Sequence, residues 1–538
     1  MTESRRPRPP ILAWVGWSVV VLLAWVASGA SSVPAPPEGA LARTLDLLAA
    51  FMHPDLGPEA LRQAASLCVE TVAVAVWGTA LGAGAGMALA LAASERITLA
   101  DGRPHCWRTR TTLGLARSIL DVLRAIPDFA WALVVLVVLG PGPVTGALAL
   151  ALGVTGLLGR VYSQLLDEVE PNRTRAVELT GGSRLVVALW GYIPGAAGPM
   201  LSYTLLRLEC SMRNASVIGI VGGGGLGAAL FEELGFGRYD RVATLLLVLL
   251  ALTAVTDRLS KGIARSLRQP GGLTRRRLAL GVVVALSMCG VVLGPSLSTA
   301  AAELGRLDTE FLVATARGLT SLEPSVEFMR TLLADALVPL GIAIVATALA
   351  AMAAAGTMVL VPRTTLGGHA PMLVRGARVV ARQGIDLLAL VTRAIPDVVW
   401  LLVFGISLHM GPLAAIAAIA THSFGLLARL FAEAVDDLPQ AAREACMVGS
   451  TRVMFVWGIW PRIAGVVWTH VFLQTESNLR AGLIVGIVGA GGLGDAFHDS
   501  ITFWRLGDAS MQAMMMIALT VAVDRVSRRL GARRARAR

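Results

Sequence analysis

Two pairs of opposite charges lie inside long apolar stretches of this 538-residue sequence. Glu209 precedes Arg213 by four residues, and Glu476 precedes Arg480 by the same spacing, so each pair shares one face of a helix. A charge inside a membrane costs about 2.5–3.5 kcal/mol on insertion scales, and such charges usually face a polar cavity. The two arginines therefore predict either a path that attracts an anion or two salt bridges that only neutralise buried helices.

A glycine-rich run follows each charged pair. The runs are Gly219-Ile-Val-Gly-Gly-Gly-Gly-Leu-Gly227 and Gly486-Ile-Val-Gly-Ala-Gly-Gly-Leu-Gly494. Glycine-rich turns expose backbone N–H groups to anions, but small residues also allow membrane helices to pack closely. We favour packing and gating beside the path over direct binding of a substrate. The glycines expected there are Gly222, Gly223, Gly489 and Gly491.

The order of these motifs indicates an internal duplication. Arg124-Ala-Ile-Pro-Asp-Phe-Ala-Trp131 returns as Arg393-Ala-Ile-Pro-Asp-Val-Val-Trp400, at almost the same offset as the glycine runs. A duplicated apolar unit is typical of membrane transporters with a pathway between two similar halves. Because proline removes a helix donor, each RAIPD segment should kink or restart a membrane helix. We expect Asp128 and Asp397 to cap the restarted helices.

Composition places the chain in a membrane. Hydrophobic residues make up 55% of it and charged residues only 15%, too little polar surface for a soluble globule. The formal charge of +11 could indicate nucleic acid binding, but the arginines lie between apolar runs and indicate membrane topology instead. Five scattered cysteines and seven histidines lack metal-ligand spacing, so we expect no disulfide framework, metal or cofactor.

Six apolar runs in each half are long enough to cross a membrane core of ~30 Å. An even number of spans makes both copies enter from the same side, which makes the repeats parallel. We therefore expect an all-α polytopic membrane protein with about twelve transmembrane helices in two parallel six-helix repeats. The runs lie near 11–30, 66–93, 112–140, 143–163, 190–218, 240–260, 277–297, 333–361, 383–410, 412–432, 460–485 and 508–525.

Basic residues predict the orientation. Arginines cluster after the sixth span and at the C terminus, whereas the loops after spans one and seven are poor in them. By the positive-inside rule, we expect both termini and the central linker to be cytoplasmic. The predicted divisions are 1–262 for the first repeat, 263–276 for the linker, 277–527 for the second repeat and 528–538 for a basic tail.

A charged, helix-compatible segment separates spans four and five of each half, on the predicted cytoplasmic side. It runs from Asp167 to Pro194 and again from Asp436 to Pro461, and each copy ends in a proline that re-enters the membrane. The sequence has no GxxxxGK[ST] motif, so any ATP that drives this chain is hydrolysed by another one. The candidate residues are Arg173, Arg175, Glu178, Gly181 and Gly182 in the first copy, and Arg443, Glu444 and Gly449 in the second.

Taken together, these motifs closely resemble the permease of the phosphonate-type ABC importers. The resemblance also includes Gly156-Leu-Leu-Gly-Arg160 and Gly425-Leu-Leu-Ala-Arg429, and it covers about 110–230 and 379–497. It implies that the chain forms the translocation path for phosphonate or a related phosphorus oxyanion. It further implies that the two charged segments are coupling loops for a separate ATPase dimer, and that a periplasmic or lipid-anchored binding protein delivers the substrate.

The chain departs from that family in two respects. The usual member is one half long and pairs with a second copy, whereas both copies are fused here. The glutamate expected in the coupling loop, about six residues before its glycine, is replaced by Arg175. The second loop is about two residues shorter, so Arg443 takes the nearest place and Glu444 falls out of register. Either one half couples more weakly, or the ATPase carries compensating acidic groups.

Other functions are compatible with parts of the pattern. An importer of this kind could carry an amino acid or another oxyanion, because selectivity resides mostly in the binding protein. A secondary transporter would run on ions, but it usually shows inverted repeats or a carboxylate relay and lacks twin coupling loops. A membrane-embedded enzyme has the least support, since the sequence shows no metal cluster, nucleophile–base set or cofactor motif.

Overall fold

The apolar runs fold into α-helices. A computed structural model describes residues 10–32, 39, 42, 45, 49, 53–99, 107–268, 275–306, 309–322, 324–358, 372–436, 438 and 459–535, and no strand occurs among them. The described helices longer than one or two turns are, in chain order, α1 (Pro10–Ala27), α2 (Pro58–Ala93), α3 (Trp107–Ala125), α4 (Asp128–Leu139), α5 (Pro143–Asp167), α6 (Pro171–Glu178), α7 (Ile193–Ile218), α8 (Gly225–Gly235), α9 (Tyr239–Arg268), α10 (Arg275–Arg306), α11 (Thr309–Thr320), α12 (Val326–Thr357), α13 (Met372–Ala394), α14 (Asp397–Leu408), α15 (Pro412–Asp436), α16 (Trp460–Val485), α17 (Leu493–Thr502) and α18 (Leu506–Ala535).

Eight of the described helices are long and apolar enough to cross a membrane, or up to eleven spans if each bent helix pair counts as one. A shorter apolar helix, Ser18–Ala27, forms part of α1. The predicted all-α polytopic fold is thereby confirmed. The predicted interruptions are confirmed too, because α3 meets α4 at 93° and α13 meets α14 at 96°, in both cases at the RAIPD proline.

The chain divides into two compact units, and their limits differ from those of the predicted repeats. The first unit is Leu47–Gly318, and the second unit combines Met1–Asp46 with Leu319–Arg538. Each unit therefore contains the first helix of the other repeat. The boundaries at 262, 276 and 527 stay a prediction about the sequence repeat.

The exchanged helices are packed closely within their units. In the second unit α1 crosses α12 at Gly341, where an added Cβ would stand 2.5 Å from the carbonyl oxygen of Ala24. In the first unit Trp77 of α2 donates its indole N–H to the carbonyl oxygen of Leu286 on α10, at 3.1 Å. Both contacts hold the exchanged helix against the long second helix of the other repeat.

The centre of the first unit is the packing of α2 on α5. A Cβ added to Gly78, Gly82 or Gly86 would approach atoms of α5 to 2.8, 2.7 and 3.0 Å. These three glycines are spaced by four residues, which is the small-residue spacing that lets membrane helices come close. The packing brings the C-terminal end of α5 beside the end of α2, and so positions the charged segment that follows.

We predict that Gly82→Leu lowers the stability of the protein while Gly84→Leu on the same helix does not. The added side chain at Gly82 meets Val154 and the carbonyl oxygen of Ala151, whereas a Cβ at Gly84 has no atom within 4 Å. Overpacking of this kind costs about 1–3 kcal/mol. Thermal unfolding in detergent measures the difference, and equal melting temperatures for the two variants would contradict the close contact.

Candidate functional site

The first charged segment folds back onto the start of α7. After α6 the chain turns at Gly181, whose φ is +73°, and re-enters through one helical turn, Arg184–Val187, and a wide turn, Ala188–Tyr192. The hydroxyl of Tyr192 donates a hydrogen bond to Glu178 Oε1 at 3.2 Å. Thr174 of α6 is 1% exposed and lies against Gly191. The segment is thus a fixed helical hairpin.

Hydrogen bonds to the turn after α2 hold this segment at both ends. Asp167, at the end of α5, accepts from Ser94 Oγ at 2.6 Å and from the backbone N–H of Arg96 at 3.1 Å. Arg184 donates to the carbonyl oxygen of Thr98 at 3.0 Å. The segment is therefore fixed to the ends of α2 and α5.

The same segment presents apolar side chains outward. Leu179 is 79% exposed and Trp190 is 75% exposed. Exposed apolar patches on a protein surface commonly mark a partner or membrane contact. The exposed apolar residues of this segment are Leu179, Leu185, Val186, Leu189 and Trp190, and we call them the coupling face.

Most predicted residues of the first coupling loop belong to this hairpin. Arg175 is exposed on α6, and Gly182 precedes Ser183, which caps the next helical turn. The side chain of Arg173 lies outside the described part of the chain. The residues predicted in the second loop, Arg443, Glu444 and Gly449, also lie outside it.

Both predicted Glu–Arg pairs are ion pairs along one helix. Arg213 Nη2 lies 3.8 Å from Glu209 Oε1 on α7, and Arg480 Nη2 lies 2.9 Å from Glu476 Oε1 on α16. The glutamate side chains are 11% and 12% exposed. Each arginine is more exposed than its glutamate, so the positive end of the pair is the more accessible one.

The glycine runs form sharp turns between two helices in each half. After α7, Gly222 and Gly224 adopt φ values of +99° and +74°, which L side chains rarely adopt, and α8 then begins at Gly225. A Cβ on Gly223 would stand 2.6 Å from Ile218. Gly489 and Gly491 repeat the pattern after α16, with φ values of +101° and +83°.

Side chains of α2 occupy the start of α8. The backbone N–H of Gly225 donates to Glu70 Oε1 at 2.9 Å, and that of Leu226 donates to Thr71 Oγ1 at 2.9 Å. Unpaired N–H groups at a helix start would attract an anion, but here two of them are already bonded. This arrangement supports the packing interpretation of the first glycine run.

The carboxylate at the first RAIPD break binds two side chains of α7. Asp128 Oδ2 accepts from Arg207 Nη2 at 3.1 Å and from Asn214 Nδ2 at 2.6 Å. The capping role expected for Asp128 is wrong, because Pro127 occupies the N-cap and no side chain caps α4. Arg207 and Asn214 lie seven residues apart, two helical turns, and thus share the face of α7 that meets Asp128.

The second RAIPD break holds its carboxylate differently. Asp397 Oδ1 lies 3.3 Å from Nδ1 of His422, which also lies 3.0 Å from the carbonyl oxygen of Ile395. The capping role expected for Asp397 is wrong for the same reason, since Pro396 is the N-cap of α14. Sequence reasoning gave no role to Arg207, Asn214 or His422, because each partner lies on a helix distant in sequence.

The duplicated architecture matches a known family twice. A family model described as binding-protein-dependent transport system inner membrane component matches residues 106–269 and again residues 364–536. The chain belongs to this family. The predicted duplication and the predicted resemblance to importer permeases are thereby confirmed.

The names of several relatives describe them as permeases for phosphate or phosphite. The phosphate-import permease protein PhnE of Mycolicibacterium smegmatis is 28% identical over 86% of this chain and 84% of that protein. The putative phosphite transport system permease protein HtxC of Stutzerimonas stutzeri is 30% identical over 36% of this chain and 64% of that protein. The phosphite transport system permease protein PtxC of the same organism is 28% identical over 37% of this chain and 68% of that protein.

For this inner-membrane component we predict that Glu70→Ala lowers stability by about 1 kcal/mol, the usual cost of losing an acceptor at a helix start. Glu70→Gln should have a smaller effect, since the amide oxygen can still accept from the N–H of Gly225. Thermal unfolding of both variants measures the difference. Equal losses in the two variants would show that the charge of Glu70, and not its hydrogen bond, holds the glycine turn.

Proposed function

We propose that the chain forms the translocation path of an ATP-driven importer for phosphonate or a related phosphorus oxyanion. Its family membership and the phosphate and phosphite permeases among its relatives support this substrate class. A separate ATPase dimer binds the cytoplasmic side, and a separate periplasmic or lipid-anchored binding protein docks outside. Both termini and the coupling loops face the cytoplasm.

The observation that carries the proposal is the coupling face. Its apolar side chains stand on a hairpin fixed to α2, α5 and α7, so a partner that moves the hairpin also moves the membrane helices. The family membership, together with a sequence that has no P-loop of its own, supports a separate ATPase as the partner of this face. The second loop, with Arg443 and Glu444, supplies the matching contact in the other half.

The path attracts its substrate through arginine. Arg213 and Arg480 lie partly exposed on α7 and α16, each held by a glutamate one turn away. The glutamate offsets the cost of placing the arginine in a low-dielectric layer. The planar guanidinium group has the geometry to donate two N–H hydrogen bonds to the oxygens of a phosphonate. The glycine turns at the ends of the same helices act as packing elements that open and close beside the path.

An importer for an amino acid or another oxyanion is the second candidate, because the binding protein sets most of the selectivity. Uptake by the complete complex of inorganic phosphate, phosphite, methylphosphonate and an amino acid, each radiolabelled, decides between them. A secondary transporter would take up solute without the ATPase. ATP hydrolysis by the chain alone would contradict the proposal.

We predict that the double variant Leu185→Gln/Trp190→Gln weakens binding of the ATPase about 30-fold, the loss expected when an interface hot spot of about 2 kcal/mol is removed. Trp107→Gln is the matched control, since Trp107 is a comparably exposed tryptophan outside the coupling face. Affinity of the purified membrane chain for the ATPase dimer is the measurement. Unchanged affinity of the double variant would mean that Leu185 and Trp190 contact lipid and not the ATPase.

A further prediction concerns Arg213. Arg213→Gln should reduce phosphonate uptake about tenfold or more, equivalent to about 1.4 kcal/mol of lost attraction, while the amount of folded protein falls far less. Glu209→Gln/Arg213→Gln removes the partner as well, and should fold normally but stay inactive in transport. If the double variant regains transport together with stability, the pair has only a structural role and Arg213 does not bind the substrate.

A further inference from the structure

The two halves hold the carboxylate at the RAIPD break from different helices. In the first unit the partner is a permanently charged arginine, Arg207 of α7, at 3.1 Å from Asp128. In the second unit the neighbour is His422 of α15, at 3.3 Å from Asp397. Both breaks bend the chain by more than 90°, so the same geometry is kept with different partners.

At least three positions around this carboxylate differ between the repeats, and one of them is Asn214, whose place is taken by Ala481 in the second half. Gly153 and His422 occupy equivalent positions, three residues before the Gly-Leu-Leu sequence of each half. Arg207 and Gln474 are also equivalent, since each lies two residues before the glutamate of its Glu–Arg pair. In the first unit a Cβ on Gly153 would collide with Asp128 Oδ1. The carboxylate of Asp128 therefore occupies the space that a side chain at position 153 would take, and it forms its ion pair with Arg207 instead.

Gln474 takes part in a different, neutral network. It donates through Nε2 to Asn478 Oδ1 at 2.9 Å and to Ser423 Oγ at 3.1 Å. Asn478 in turn donates to Thr347 Oγ1 at 2.8 Å. These hydrogen bonds tie α16 to α15 and to α12.

Arg207 lies on the helix that continues from the coupling hairpin, so its ion pair connects that hairpin to the RAIPD break. A helical run without a break extends from Arg184, in the coupling hairpin, through α7 to Ile218, just before the glycine turn. Arg207 lies in the middle of this run and binds the carboxylate at the start of α4. A charge-assisted hydrogen bond in a low-dielectric layer is strong enough to make the run and the break move together.

We propose that Arg207 is a positioning residue that transmits movement of the first coupling hairpin, through Asp128, to the break between α3 and α4. The first half is then coupled to the ATPase through an ion pair on the helix that continues from the coupling hairpin. This inference rests on the proposed function, because it needs an ATPase as the source of the movement.

The experiment uses the complete complex with ATPase and binding protein in liposomes. ATP hydrolysis and uptake of radiolabelled inorganic phosphate, phosphite and methylphosphonate are measured together, and thermal unfolding is measured for each variant. Arg207→Gln copies the second unit, and we expect uptake per ATP hydrolysed to fall about fivefold, a typical effect of cutting one link between coupled sites. Arg207→Lys keeps the charge and should retain most of the coupling.

The double variant Gly153→His/Arg207→Gln separates coupling from stability. It copies both positions of the second unit: the carboxylate of Asp128 keeps its bond to Asn214, turns away from the new Cβ at position 153 and gains the imidazole in place of Arg207, so the melting temperature should recover. Uptake per ATP should stay low, because the new partner lies on α5 and not on the run from the hairpin. Recovery of uptake per ATP with stability would overturn the proposal, as would an unchanged ratio in Arg207→Gln.

Asp128→Asn tests the same link if the Arg207 variants do not assemble. The amide oxygen can still accept from Arg207 and Asn214 but carries no charge, so we expect folded complex with reduced uptake per ATP, whereas full coupling would overturn the proposal. A wild-type complex that shows no uptake linked to hydrolysis would instead overturn the proposed function. The two failures are therefore distinguishable.

Discussion

At each RAIPD break a proline ends a helix, and the aspartate that follows it places a carboxylate in an apolar layer. Only neighbouring helices can stabilise that carboxylate. The side chains of Asp128 and Asp397 are only 15% and 22% exposed, so each carboxylate needs a partner on another helix. In the first unit Arg207 and Asn214 supply the donors, and the glycine at position 153 leaves room for the acid. The bend, the partner and the small residue opposite are consequences of one constraint.

The local features of the fold follow from the sequence because their causes are local. Proline placement predicted both bends, and the four-residue spacing predicted the ion pairs of Glu209 with Arg213 and of Glu476 with Arg480. The partners of the two aspartates were missed because they lie on helices distant in sequence. Capping was the only role that local rules offered for an aspartate after proline, and it was wrong.

The exchange of first helices between the units also escaped prediction, for a related reason. An apolar run shows that a helix crosses a membrane but not which neighbour it packs against. The small residue Gly341 permits the close approach of α1, yet nothing in its local sequence distinguishes that contact from any other. Likewise Glu70, which occupies the start of α8, lies in a separate span from the glycines it binds.

Fusion of the two copies is what allows these sites to diverge. A permease built from two identical chains must place the same residue at both equivalent positions, so a charged partner for one aspartate appears for the other as well. In the fused chain, Arg207 pairs with the first aspartate opposite Gly153. The second aspartate lies beside His422, and Gln474, at the position of Arg207, takes part in a neutral network instead. Loss of Arg207 alone would leave the carboxylate of Asp128 with the neutral donor Asn214 but without a charged partner. Because both arrangements stabilise the same bend, the halves keep one architecture while their connections to the neighbouring helices differ.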